Sequence, residues 1–188
     1  RSRGLGDVYK RQVNNAAVSL EQTIGEYRSA LSYFCEDNDT VQKIGAPAIT
    51  QSDSTSLYQK MYILLAGKST NVAMHLIKAD GSFGISTSVI PEAYHVRNHG
   101  DWGIFREMNA SYGTVLYSNH YVSQEGKNYC VAVGDSIRKD GQIIAYAVID
   151  IPSDVFQTAL DSVNVSLPVR YAVVDRNNYC LLYTSDAA

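Results

Sequence analysis

The chain has 188 residues, 45% hydrophobic and 19% charged, with 13 glycines and 4 prolines, which excludes a disordered or collagen-like polymer. A net charge of −3 argues against a nucleic-acid partner, and no apolar run approaches the roughly 18–20 residues that span a bilayer. Fourteen tyrosines stand against four phenylalanines and one tryptophan. Tyrosine combines apolar area with a hydrogen-bonding tip, which suits wet surfaces and small-molecule pockets.

The two ends come first, because foreign segments must be set aside before fold reasoning. Asp7-Val-Tyr-Lys-Arg-Gln12 can be encoded as GAT GTG TAT AAG AGA CAG, and Cys180-Leu-Leu-Tyr-Thr-Ser185 as TGT CTC TTA TAC ACA TCT. Read on opposite strands these are one DNA sequence, and it resembles the transposase mosaic end of sequencing-library adapters. Residues 1–12 and 180–188 are therefore expected to be adapter-derived and to pack on nothing, leaving a natural fragment of about Val13 to Tyr179. Its two cysteines, Cys35 and Cys130, form no disulfide framework. A single pair in an exported protein and two buried thiols both remain open.

Val13, Ala17, Leu20, Ile24, Tyr27, Leu31 and Phe34 recur at spacings of four and three, one apolar stripe on a helix of six or seven turns. The polar run Glu36 to Thr40 ends it, and Gly45-Ala-Pro47 is a break. Asp53-Ser-Thr-Ser56 offers cap oxygens ahead of Leu57, Met61, Leu64 and Leu65, predicting a second helix to about Ala66. Val72 to Ile77 and Gly84 to Ser88 then read as strands around an Asp80-Gly81 turn. Residues 91–109 are irregular or briefly helical. Strands are expected again at Val115–Tyr117, Tyr129–Ile137 and Ile143–Ile151, the last two joined by an Asp140-Gly141 hairpin. A helix from Pro152 through Val163 and a strand Val169–Val174 close the pattern. The order predicts an α+β fold with hairpins, not alternating βαβ units.

Motifs for chemistry fail one by one. Gly67-Lys-Ser-Thr70 mimics the end of a phosphate loop, but Tyr62 stands where its first glycine belongs. His95 and His99 lack the glutamate of a zinc-protease helix, and His75 and His120 are distant from them in sequence. Hydrogen-bonding or solvated histidines explain all four, and no metal is implied. Asp37-Asn-Asp39 lacks the glycine and distal glutamate of a calcium loop. No nucleophile elbow occurs. No enzyme activity and no cofactor is predicted.

What remains is the insertion from Ile90 to Arg106, followed by Tyr117 and Tyr121. It concentrates Tyr94, Arg97, Trp102 and Arg106 between two strand pairs. Aromatic walls with an arginine suit an anion-bearing small ligand. The plainer outcome is a cap that packs Trp102 into the core and leaves both arginines in solvent.

Ile77-Lys-Ala-Asp-Gly81, Ser86-Thr-Ser88, Asp101-Trp-Gly-Ile-Phe-Arg106, Tyr117-Ser-Asn-His-Tyr121, Asp135-Ser-Ile-Arg138 with Asp140-Gly141, and Ala145-Tyr-Ala-Val-Ile-Asp-Ile151 follow in order. Together they resemble the extracellular double Cache (PAS-like) sensor domains of bacterial transmembrane sensor histidine kinases and chemoreceptors. The resemblance implies a long helix and connector over 13–52, a membrane-distal sensor domain over 53–163, and the start of a membrane-proximal one over 164–179. It implies an extracytoplasmic domain, anchored in the cell membrane through segments outside this chain and paired with a second copy through the long helix. It implies a small polar ligand (amino acid, organic acid or sugar) held by Tyr94, Arg97, Trp102, Tyr117, Tyr121 and Asp150. Arg97 and Asp150 would lie on opposite sides of the cavity, with Tyr94 and Trp102 as walls. The competing readings are a fragment of a secreted enzyme and a structural surface domain without a ligand.

Overall fold

A computed structural model describes residues 2–118, 129–162, 172–174 and 180–183. They divide into two compact units, residues 27–152 and residues 1–26 with 153–188. Helix α1 runs unbroken over Ser2–Glu36, eleven residues longer than the predicted helix at its N-terminal end. Tyr27, Leu31 and Phe34 are buried at 3%, 0% and 4% exposure, as the stripe requires, but Val13 is 52% exposed. Toward the N-terminus the buried positions are Ala16 and Gln12 instead. The first 26 residues belong to the smaller unit, so other neighbours decide which of their side chains are covered.

In the larger unit, Asp37 breaks α1 from α2 (Asn38–Ile44) by accepting from the Thr40 backbone N–H at 3.0 Å and the Thr40 hydroxyl at 2.9 Å. Helix α3 (Gln51–Leu65) starts earlier than the predicted cap: the Thr50 hydroxyl accepts from the Asp53 backbone N–H and donates to the Asp53 carboxylate, a side-chain N-cap. Lys60 ties α3 back to α2 through Asp37 and Asp39.

Five strands follow: β1 (Ala73–Lys78), β2 (Gly84–Ser86), β3 (Val115–Ser118), β4 (Tyr129–Lys139) and β5 (Gln142–Pro152). They form one sheet in the order β2-β1-β5-β4-β3, every neighbour antiparallel. Asp140 and Gly141 turn β4 into β5 with φ of 53° and 79°, the positive values that this tight hairpin needs. Both sheet faces are covered. One carries Met74, Leu76, Val133, Ile137, Ala147 and Ile149, all fully buried. On that side Lys78 Nζ donates to the Ala46 carbonyl at 2.7 Å, and Cys35 is a free, buried thiol whose pKa is raised by burial and by Asp135. The other face carries Ile77, Tyr146, Val148 and Ala132 and is covered by the insertion.

In the smaller unit, α6 (Ser153–Asp161) buries Phe156 and Leu160, and Ser19 of α1 donates to the Ala159 carbonyl at 3.1 Å. Strands β6 (Ala172–Val174) and β7 (Cys180–Tyr183) pair antiparallel. The expectation that the terminal segments pack on nothing is not met at two points: β7 is paired, and Gln12 is 8% exposed with a buried Oε1 that finds no partner among the described residues.

Candidate functional site

The insertion is helical in short pieces: a 3-10 turn at Glu92–Tyr94, α4 at Val96–His99 and α5 at Ile104–Ala110. Ile104, Phe105 and Met108 are buried at 2% or less, each worth about 1.5–3 kcal/mol of apolar transfer. Their seat is Gly134, where an added Cβ would come within 2.8 Å of Met108 Sδ and 2.9 Å of Ile104 Cγ1. Edge-on ring contacts run from His75 to Tyr94, Tyr94 to Phe105 and Phe105 to Tyr146 at 5.0–5.6 Å, the geometry aromatic quadrupoles favour. Burial raises the Tyr146 phenol pKa, and its hydroxyl donates to Asn109 Oδ1 at 2.6 Å.

Docking of the insertion delivers Tyr94 to the sheet. Its hydroxyl donates to Asp150 Oδ1 at 2.6 Å, with Tyr94 4% and Asp150 0% exposed. Asp150 also bonds His75, Oδ2 to Nε2 at 2.9 Å, and His75 Nδ1 meets Ser86 Oγ at 2.8 Å. Strand register explains this line. Ser86 and His75 are direct cross-strand partners, and Asp150, the partner of Ala73, stands on the same face diagonally from His75. Opposite and diagonal same-face neighbours are the pairs that side chains can bridge.

The row through Asp150 reads Ala73, Asp150, Ala132, Tyr117 across β1, β5, β4 and β3. Tyr117 is half-buried and stands two strands, about 10 Å, from Asp150. Its ring lies 3.9 Å from where a Cβ of Gly103 would be. Tyr94, Asp150 and Tyr117 thus share one sheet face. Arg97 does not join them: it lies over the β1–β2 turn, Nε donating to the Asp80 carbonyl at 3.4 Å, on space that a Cβ of Gly81 would fill. That turn is at the far end of β1 from Ala73, at least roughly 15 Å away at about 3.3 Å per strand residue. Trp102 is 59% exposed and donates its Nε1–H to His99 Nδ1 at 3.1 Å; it is neither core nor wall of this site. Tyr121 lies outside the described residues.

In the sequence His75 is one of four histidines explained by hydrogen bonding or solvation. The signal for it was a lone histidine and a lone aspartate, each inside an otherwise apolar strand. Buried polar groups of that kind need partners, and here each is the other's.

Ser86, His75 and Asp150 match a nucleophilic triad in residue type. The imidazole is 1% exposed and the carboxylate 0%. The line is built to hold a buried carboxylate. A shallow concavity lined by Tyr58, Gln59, Tyr62 and Ile63 lies on the outside of α3 and carries no charged group. Among the described residues no group of three or more His, Cys, Asp or Glu side chains could hold a metal ion.

No protein-family model and no curated protein matches the chain. Solved structures do. The ligand-binding domain of the amino-acid chemoreceptor PctC of Pseudomonas aeruginosa PAO1, in complex with GABA, aligns at a TM-score of 0.64 and 15% identity, over 96% of this chain and 74% of that one. The sensory domain of the Campylobacter jejuni chemoreceptor Tlp3 with isoleucine bound aligns at 0.58 and 17%, over 95% and 73%. The sensor domain of the V. cholerae histidine kinase DctB aligns at 0.70 and 11%, over 98% and 69%. The chain has the α+β, PAS-like fold of bacterial sensory domains, as the sequence resemblance implied.

Proposed function

We propose that this chain is the extracytoplasmic ligand-sensing domain of a bacterial membrane signalling receptor, and that it binds a small amine-bearing molecule at Asp150. The observation that carries the reading is the buried carboxylate itself. Asp150 sits on the insertion-covered face of a sensor-type sheet, held by Tyr94 and His75. Ala73 and Ala132, which end at Cβ, flank it in the sheet, and Tyr117 stands beyond Ala132 in the same row. The neighbours solved with GABA and with isoleucine favour an amino compound over a sugar or an amine-free acid. Arg97 has no part in this site, so the ligand's anionic group, where it has one, meets another donor.

The parent protein is proposed to be a receptor of the histidine-kinase type, with residues 53–163 as its distal sensing domain and 164–179 as the start of a proximal one. No helix among the described residues is long and apolar enough to cross a membrane, and the anchors are proposed to lie in flanking segments. A homodimer through α1 belongs to the same proposal. Ligand closure over the sheet would reach the membrane as a small helix shift.

Thermal shift of the 188-residue chain with GABA, L-isoleucine, succinate and glucose tests the ligand class. A ligand present at 100 times its Kd adds about 2.7 kcal/mol, a rise of roughly 5–10 °C for a chain of this size. A rise with GABA or L-isoleucine and none with succinate or glucose is expected. Stabilisation by succinate or glucose alone would overturn the amine reading.

A further inference from the structure

We propose that His75 is the positioning residue of this site, locked by Ser86 as the neutral tautomer that carries its proton on Nε2, and that it aims the Asp150 carboxylate at the ligand. This rests on the functional reading above for the ligand, but not for the tautomer. The assignment takes an ionised Asp150 as acceptor only, so that Nε2 carries the N–H toward Oδ2, and takes Ser86 as the donor to Nδ1. Ser86 Oγ accepts from the Ser88 backbone N–H at 3.0 Å and lies 2.8 Å from His75 Nδ1. A hydroxyl has one proton to give. Spent on Nδ1, it makes that nitrogen an acceptor and leaves Nε2 as the N–H, which faces Asp150 Oδ2 at 2.9 Å. Every contact in the line is then satisfied: Ser88 N–H to Ser86, Ser86 O–H to His75, His75 N–H to Asp150. An imidazolium would turn Nδ1–H toward Ser86 and send the serine proton elsewhere.

The consequence concerns charge and direction together. With a neutral imidazole, the line donates hydrogen bonds to Asp150 without cancelling its charge, whereas an imidazolium would form a neutral pair with it. Tyr94 on Oδ1 and His75 on Oδ2 fix the rotation of the carboxylate plane from two sides, and pre-set geometry of this kind raises affinity by lowering the ordering cost of binding. The second ring nitrogen sets the tautomer of the first, as it does for histidines held by a carboxylate or a carbonyl.

Long-range proton–nitrogen correlation of the imidazole rings in the 15N-labelled 188-residue chain at pH 7.5 reads the tautomer directly. A single Nε2–H neutral ring for His75 is expected, and an Nδ1–H ring or an imidazolium would overturn the proposal. Calorimetric titration with GABA and L-isoleucine reads the positioning. His75→Gln, whose amide can donate from nearly the place of Nε2, should keep affinity within about threefold, while His75→Leu, without a donor, should lose tenfold or more. Equal affinity in wild type and His75→Leu sinks the positioning role. Where His75→Leu does not fold, Ser86→Ala serves instead: a mixed tautomer and weaker binding are expected, and an unchanged ring signal with unchanged affinity contradicts the lock. If wild type binds neither amine, the functional reading fails by that result, and the ring spectrum alone decides the state of His75.

Discussion

Tyr94→Phe removes one hydroxyl group from the buried network and little else. The ring keeps its edge contacts to His75 at 5.4 Å and to Phe105 at 5.6 Å, so no large cavity opens. What is lost is a hydrogen bond of 2.6 Å from a hydroxyl to a carboxylate oxygen, with both residues at 4% exposure or less. Hydrogen bonds to charged groups are worth about 1.5–3 kcal/mol. With a urea slope of about 1–3 kcal/mol per molar, the unfolding midpoint followed by circular dichroism should fall by roughly 1 M with the slope unchanged. The same variant should weaken binding of GABA or L-isoleucine, because Asp150 loses the hydrogen bond that holds its Oδ1. A midpoint within about 0.2 M of wild type, on a slope of that size, would show that Asp150 does not depend on Tyr94.

Three further outcomes follow from packing and charge. Gly134→Ala should destabilise by about 1–3 kcal/mol in the same urea titration, because its Cβ meets Met108 and Ile104 below 3 Å; no loss would mean that α5 is not seated on β4. Asp37 has its carboxyl lowered from 3.8 to about 2 by the hydrogen bond from Lys60 and those from Thr40. Its folded pKa lies below the unfolded one, so its contribution is complete above about pH 4 and fades toward pH 2. The stability gap between wild type and Asp37→Asn should therefore close over that window; a gap that is constant with pH would refute the pairing. Trp102, 59% exposed, should emit like a solvated indole and be quenched readily by iodide, whereas a shielded signal would restore it as core or pocket wall.

The fold was largely legible because its local signals agree with one another. The Asp80-Gly81 and Asp140-Gly141 turns, the apolar runs beside them and the period of α1 each specify an element without help from distant residues. What local pattern did not carry was register. Tyr94 and Asp150 were identified, and the structure joins them, but their link to His75 depends on Ser86 opposing His75 and on Asp150 standing diagonal to it. No window of sequence contains that pairing. Arg97 was read as the grip for an anion because arginine in a cap suits one. Its side chain instead fills the space above Gly81, a role set by a turn sixteen residues earlier. Trp102 went the same way: composition marked the only tryptophan as an anchor, and His99 three residues before it takes the indole N–H at the surface.

The central claim is that Asp150 meets the amine of a small ligand. Isothermal titration of wild type and Asp150→Asn with GABA and L-isoleucine, each variant first verified as folded by its circular dichroism, tests it most directly. Loss of one charge-assisted contact of about 1.5–3 kcal/mol predicts affinity lower by roughly 10- to 150-fold in Asp150→Asn. Undiminished affinity for the same amine in Asp150→Asn would contradict it.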